Sequence, residues 1–422
     1  MMSYFIEHAR WHCIIGILIS LLVSWCFSAA RGGIRYRTIA AGLVLQVTLG
    51  LCMLRASWGL YVMQWLSGGI VRLYKAASSG IVFVFGDLAQ SSGVSGFIFA
   101  IQVLPMIIFF GALMNLLFYW GIIPASVHMI NKIIRPFLGT TGCETACAIG
   151  NSVLGQTEAP LLVRHYLASM TASEIFLVMV SGMSTLSAAI IAIYAAMGVP
   201  VLHLLTSSIM AIPASIVIAK LWQPETEKPH EHGDIAIDNA EVKDQSSLEA
   251  IGQGTMDGMQ LAATVGATLI SYIGLITLFD MILYELGVYL QLIVSWLQVD
   301  FVVPSLSLSW FLEFFGRPIM WLLGLSGADA SIGAAVWGMR IAANEMVAYT
   351  QLLKNVVSPR ALVLLTYALC GFANISSIGI QLNSIGLLAP TQKSTLKKLG
   401  WRAMVAAILS NLMTACFVGL LM

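Results

Sequence analysis

Apolar stretches about 20 residues long recur from near the first residue to the last, and each is long enough to cross roughly 30 Å of hydrocarbon. No other feature limits the fold so strongly. With 59% hydrophobic and only 10% charged residues, the chain has too little polar surface to cover a soluble globule, so its solvent is mostly lipid. The chain reads as an all-α polytopic membrane protein. Its Lys and Arg residues are scattered and the formal charge is +1, which leaves no basic stripe to track a phosphate backbone and excludes nucleic acid as a partner. Seven cysteines lie mostly inside apolar runs without a CxxC pair, and read as small buried hydrophobes. Cys143 and Cys147 are half a zinc site at most, so no metal is assigned there.

Spans are expected near 11–28, 39–58, 96–123, 172–198, 201–221, 257–290 and 396–421. The run from Cys13 to Phe27 followed by Ser28-Ala29-Ala30 resembles a signal peptide, but the hydrophobicity of the rest of the chain and the basic turn at Arg31, Arg35 and Arg37 favour a retained first span. Residues 141–170 and 328–357 are apolar but interrupted by Gly, Pro and carboxylates, and are expected to form two re-entrant hairpins. Between 360 and 390, Gly371-Phe372-Ala373-Asn374-Ile375-Ser376-Ser377 puts weak helix formers mid-run, predicting a broken helix. About eight transmembrane helices plus the two hairpins result. Residues 223–249 are polar and read as a loop, in which a loose metal site at His230 and His232 is set aside. Arg31, Arg35, Arg37, Lys132, Arg135, Lys220, Lys393, Lys397, Lys398 and Arg402 fall on one side, cytoplasmic by the positive-inside rule, with both termini outside. Arg55, Arg72 and Lys75 then fall on the outer side, near an interfacial helix.

The spacing carries a repeat. Glu158 precedes Thr185, in the centre of the next span, by 185 − 158 = 27 residues, and Glu345 precedes Phe372 by 372 − 345 = 27. Paired discontinuous helices at matching positions mark an inverted-repeat transporter, whose site lies where freed backbone lines a wet cavity. Gly155-Gln156-Thr157-Glu158-Ala159-Pro160 sets an amide, a hydroxyl and a carboxylate side by side in an apolar region, and Asn344-Glu345 repeats the theme. A carboxylate at membrane depth costs about 2.5–3.5 kcal/mol on insertion scales, so a ligand, an ion or a proton is expected as its partner. Asn374, Ser376 and Ser377 beside Phe372 suit a ring bearing hydroxyls, as in a sugar-linked base. Glu144 and Glu174, near the ends of apolar segments, read as interfacial.

The stretches 150–160, 344–349 and 371–377 resemble the motifs of concentrative nucleoside transporters, in the same order. That resemblance implies a homotrimer in a bacterial inner membrane, each protomer pairing a scaffold with a moving transport domain. Its boundaries here are scaffold helices over 1–123, the first half of the transport domain over 124–222, a cytoplasmic loop at 223–249, a scaffold helix and outer interfacial helix over 250–327, and the second half of the transport domain over 328–422. Carried over by position, Gln156, Thr157 and Glu158 contact the nucleobase, Glu345, Asn374 and Ser377 hold the ribose hydroxyls, and Phe372 lines the pocket. Asn151 and Thr185 side chains with the Leu154 and Leu186 carbonyls form a Na+ site. The all-oxygen ligand set suits a hard cation, although Met183-Ser184-Thr185-Leu186-Ser187 also resembles proton-coupled members. Sodium is the expected coupling ion and a proton on Glu158 or Glu345 the alternative; no cofactor and no enzymatic activity are expected. A rhomboid-like protease at Gly324-Leu325-Ser326-Gly327 lacks a histidine downstream of Ser326, and a channel would gather equivalent loops around one pore.

Overall fold

The computed structural model describes residues 9–89, 96, 98–229, 246–298 and 300–422, and among them every regular element is helical. The loop histidines His230 and His232 lie outside the described residues. Sixteen helices of more than one turn are named here in chain order: α1 Arg10–Cys26, α2 Tyr36–Leu54, α3 Ser57–Phe85, α4 Leu104–Tyr119, α5 Ile122–Leu138, α6 Gly142–Asn151, α7 Ala172–Ser184, α8 Ala188–Ala196, α9 Val201–Trp222, α10 Ser247–Trp296, α11 Leu308–Leu322, α12 Gly327–Ala342, α13 Glu345–Lys354, α14 Pro359–Leu369, α15 Ile375–Leu388 and α16 Lys393–Leu421.

Contacts at the helix ends sort them onto two faces. The end of α1 lies beside the end of α9, where Ala29 N donates to Trp222 O at 2.9 Å, and beside Arg402, whose Nη2 donates to Phe27 O at 3.1 Å. The start of α1 lies on the opposite face, with the His12 ring 2.8 Å from Trp321 O. The start of α7 sits on the first face, where Ser173 Oγ donates to Gln223 O at 2.7 Å. That of α14 sits on the second, where Arg360 Nη2 reaches Gly419 O at 3.3 Å. Helices α7 and α14 therefore enter from opposite faces, and the two halves are inverted. Their register is strict: 359 − 172 and 375 − 188 both equal 187, so each broken helix starts and restarts at equivalent positions. The expected hairpins are present, α6 with the turns through Leu167 and α12 with α13, entering from opposite faces like the helices that follow them.

Local chemistry explains the breaks. Thr171 and Ser358 cap α7 and α14, and Ser187 and Asn374 cap α8 and α15, accepting from the backbone N–H of Ile190 and Ser377. Such residues stop one helix and start the next because a short side chain replaces the missing backbone acceptor. Gly371, at φ 129°, lies so close to the first break that a Cβ there would sit 2.6 Å from Ser184 O. The two breaks touch, and only glycine fits the contact.

Two expectations are refined. The scaffold span at 257–290 is a single 50-residue helix, α10, about 75 Å long at 1.5 Å per residue. It begins earlier because Ser246 and Glu249 form a capping box in the polar segment. Its buried Ala250, Gly254, Gly258 and Ala262, four residues apart, let it lie directly against α4, where Cβ positions built on Gly254 and Gly111 meet the facing backbone within 2.6 Å. The 29 residues of α3 are long and apolar enough to cross a membrane. Yet Arg55 at its start bonds Leu421 O, and Leu88 beyond its end takes Gln102 Nε2 beside the start of α4. Both its ends lie on the face that carries the end of α16, so α3 runs along that face as the expected interfacial helix. The crossings are then α1, α2, α4, α7–α8, α9, α10, α14–α15 and α16. Glu144 and Glu174 lie in the first turns of α6 and α7, at the segment ends as expected, but buried: they close the capping boxes of those helices, and Lys220 Nζ meets Glu144 at 2.5 Å.

Gly371→Ala should lower the thermal midpoint of the purified protein in detergent by several degrees, whereas Gly379→Ala, with open space around it on α15, should leave it unchanged or slightly raised. Equal melting of the two variants would contradict the close contact of the breaks.

Candidate functional site

Where the hairpin tips meet the broken helices, a chain of hydrogen bonds runs through the interior. Tyr194 OH on α8 donates to Glu345 Oε1 at 3.1 Å, and Asn374 Nδ2 donates to Glu345 Oε2 at 3.0 Å. The Oδ1 of Asn374 accepts from Ser377 N and from Ser376 Oγ, at 2.9 and 2.7 Å. Ser377 Oγ accepts from Gln156 Nε2 at 3.2 Å, and Gln156 Oε1 accepts from Gln381 Nε2 at 3.2 Å, which also reaches Met179 O at 3.1 Å. Five of these residues, Glu345, Asn374, Ser377, Gln156 and Gln381, are buried side by side although they come from both halves. A carboxylate removed from water keeps its charge cheaply only when donors surround it, and here a phenol and an amide do so.

Of the residues singled out from the sequence, the structure joins Gln156, Glu345, Asn374 and Ser377 directly. Phe372 is half-buried in the second break, packed against the core beside them. Thr157 and Glu158 occupy the first tip but face outward and are exposed, while Gln156 turns inward. Asp257 of α10 is the charge that acts on Glu158. The tip needs Gly155, at φ 109°, because its Cβ position is 3.1 Å from Ser187 Cβ in the first break.

Asn151 and Thr185 converge on Ser181. Asn151 Nδ2 donates to Ser181 Oγ at 2.9 Å and Thr185 Oγ1 donates to Ser181 O at 2.9 Å. The Oδ1 of Asn151 is buried with no partner among the described residues, and Thr185 has spent its proton, so both oxygens keep lone pairs to offer. Leu154 is buried where the first tip leaves α6, and the Leu186 carbonyl accepts from Ser208 Oγ at 3.0 Å.

Tyr194, Gln381, Ser181, Gly182 and Arg340 escaped the sequence reading. The first two are equivalent under the repeat, since 381 − 194 = 187, so polar residues inside apolar runs at matching offsets were the available signal. Gly182 leaves room for three site residues at once: a Cβ there would lie 2.6 Å from Gln381 Nε2, 3.0 Å from Gln156 Cβ and 3.4 Å from Asn151 Oδ1.

Paired re-entrant hairpins and paired broken helices, inverted relative to each other and meeting at a buried polar cluster, define an inverted-repeat membrane protein built as secondary transporters are. The chain belongs to the concentrative nucleoside transporter family. It matches the family descriptions "Na+ dependent nucleoside transporter N-terminus" over residues 15–88, "Nucleoside recognition" (the Gate domain) over 100–200 and "Na+ dependent nucleoside transporter C-terminus" over 203–419. It is 35% identical to the nucleoside permease NupC of Helicobacter pylori, with 96% of each chain covered. Against the sodium/nucleoside cotransporter 2 of Rattus norvegicus it is 32% identical, covering 96% of this chain and 62% of that one. Among solved structures, CNTnw in an inward-facing substrate-bound state matches at 33% identity and TM-score 0.88, covering 97% of both chains. A doubly substituted CNTnw in an outward-facing state matches at 32% and 0.91, covering 97% of this chain and 98% of that one.

Gly182→Val should push Gln156 and Gln381 apart and weaken uridine or adenosine binding by roughly 1–3 kcal/mol, the usual cost of overpacking a filled site. Equilibrium binding to the purified protein measures it, and unchanged affinity would remove Gly182 from the site.

Proposed function

We propose that this chain imports nucleosides by symport with a cation, Na+ in the first instance, through alternating access in the bacterial inner membrane. The observation that carries the reading is the unbroken polar chain from Tyr194 through Glu345, Asn374, Ser377 and Gln156 to Gln381, which ties both hairpins to both broken helices. A ribose fits such a site because its adjacent hydroxyls can donate to a carboxylate and accept from an amide, while Gln156, Thr157 and Glu158 at the opposite tip offer donors and acceptors to a base edge. Phe372 supplies the apolar wall. Binding energy of this kind is conditional: each buried polar group that a wrong solute leaves unpaired costs about 1–3 kcal/mol.

The cation is assigned to Asn151 Oδ1, Thr185 Oγ1 and the carbonyls of Leu154 and Leu186. The unpartnered Asn151 oxygen supports a hard cation, and its shared neighbour Ser181 lies one residue from Gly182 against Gln156, so ion and nucleoside would order the same few residues. Symport then follows from linkage, each ligand raising the affinity of the other by the same factor. A proton on Glu158 or Glu345 is the competing coupling ion, and Glu158 is exposed at the first tip. The face holding Arg31, Arg35, Arg37, Lys220 and Arg402 is assigned to the cytoplasm, with both termini outside. Helices α5–α9 and α12–α16 form the moving transport domain. Helices α1–α4, α10 and the interfacial α11 form the scaffold, whose exposed apolar side chains on α10 suit lipid and the neighbouring protomers of a homotrimer.

In proteoliposomes, an inward Na+ gradient should drive accumulation of radiolabelled uridine or adenosine, and Asn151→Ala or Thr185→Ala should raise the Na+ concentration for half-maximal uptake. Accumulation that needs only a proton gradient would move coupling to a carboxylate, and no uptake under any gradient would overturn the assignment. Glu345→Gln and Asn374→Ala should each weaken nucleoside binding about tenfold or more while folded protein remains in the membrane, the loss of a bond to a charged group being worth about 1.5–3 kcal/mol. Normal binding by both variants would show that the ribose is held elsewhere.

A further inference from the structure

Arg340 is wholly buried, in the last turn of α12, at the tip of the second hairpin. It precedes Glu345 by 345 − 340 = 5 residues across the non-helical Ala343 and Asn344. Its Nη1 donates to Ala368 O at 2.7 Å, in the last turn of α14, where a cation also meets the negative end of the helix dipole. Tyr349 OH holds the neighbouring Thr366 O at 2.9 Å. The Nε and Nη2 of Arg340 have no partner among the described residues. A buried guanidinium with two idle donors is costly, and a wholly buried one is unusual unless it answers a buried negative charge. The charge it feels is that of Glu345.

We propose that Arg340 is a positioning residue of the nucleoside site, the resident counter-charge that lets Glu345 remain a carboxylate while its oxygens stay turned toward Tyr194, Asn374 and the ribose. This rests on the assignment of Glu345 to the ribose. The two charges interact without forming an ion pair: the carboxylate is held by Tyr194 and Asn374, the guanidinium by Ala368 O. A direct bidentate pair would consume the oxygens that a sugar needs. The separated arrangement neutralises the interior and leaves the acceptor free. The titratable or charged groups around Glu345 are Arg340 on α12, Tyr194 on α8, Tyr349 on its own helix and Cys370 in the second break. Of these, only Arg340 supplies a positive charge.

The test is nucleoside uptake and binding by the full-length protein between about pH 6 and 9. Arg340→Lys should keep most transport. Arg340→Met should lose at least tenfold in nucleoside affinity at pH 7.5, because a buried Glu345 without its counter-charge takes up a proton, and recover part of it as the pH is raised and the carboxylate returns; the unsubstituted protein should show no such alkaline rescue. If Arg340→Met folds poorly, the Arg340→Met, Glu345→Gln double variant should melt at a higher temperature than Arg340→Met alone, since it removes both buried charges. Wild-type-like affinity in Arg340→Met, or a loss that neither alkali nor the second substitution relieves, would overturn the proposal. Normal nucleoside binding by Glu345→Gln would instead defeat the ribose assignment beneath it.

Discussion

Non-helical backbone in a membrane interior has to find its hydrogen-bond partners within the protein, and nearly everything distinctive in this fold comes from how the chain does it twice. At the first break, Ser184 and Thr185 return their hydroxyls to Val180 O and Ser181 O, Ser208 holds Leu186 O, and Val153 O on the first tip accepts from Ala188 N. At the second, Arg340, Tyr349 and Asn411 donate to Ala368 O, Thr366 O and Cys370 O. Each break therefore depends on its own hairpin. Remove the hairpin and the first break loses the acceptor of Ala188 N, while the second loses the donors to Ala368 O and Thr366 O.

The halves then exchange contacts. Tyr194, on the post-break helix of the first half, bonds Glu345 on the hairpin of the second, and its equivalent Gln381 bonds Gln156 on the hairpin of the first. The functional side chains thus double as structural ones: Asn374 caps α15 with Oδ1 and spends Nδ2 on Glu345. Such sharing gives rigidity, because a residue fixed by a helix cap has few rotamers left to lose on binding.

How much of this was legible beforehand depended on whether the information is local. Hairpins and breaks are announced by Gly, Pro and short polar residues interrupting apolar runs, and the 27-residue spacing came from a strict 187-residue register that the structure bears out at both helix starts. Glu345, Asn374, Ser377 and Gln156 could be grouped because each sits at such an interruption. Tyr194, Gln381 and Arg340 could not, because they lie inside regular helices and acquire meaning only from what packs opposite. The interfacial course of α3 was visible in its basic Arg72 and Lys75, whereas length and hydropathy alone would have sent it across the bilayer. The position of Glu144 and Glu174 at the segment ends was legible but their burial was not: a carboxylate there looks solvated, whereas two capping boxes, and Lys220 beside Glu144, enclose it.

The same exchange of contacts bears on motion. If α6–α9 and α12–α16 moved against each other, the bonds from Tyr194 to Glu345 and from Gln381 to Gln156 would break, and the Ser184 carbonyl would lose its fit against Gly371. Several buried polar groups would be stranded together, each at about 1–3 kcal/mol. By contrast, α10 packs on α4 through its own stripe of Ala and Gly and on the second hairpin through Leu269, Tyr272 and Ile276 against Met339, Ala343 and Val347, contacts that are apolar, and is otherwise largely exposed. Displacement is cheapest where contacts are apolar, which supports the proposal that the two inverted halves travel as one body past α4 and α10, carrying the polar chain intact.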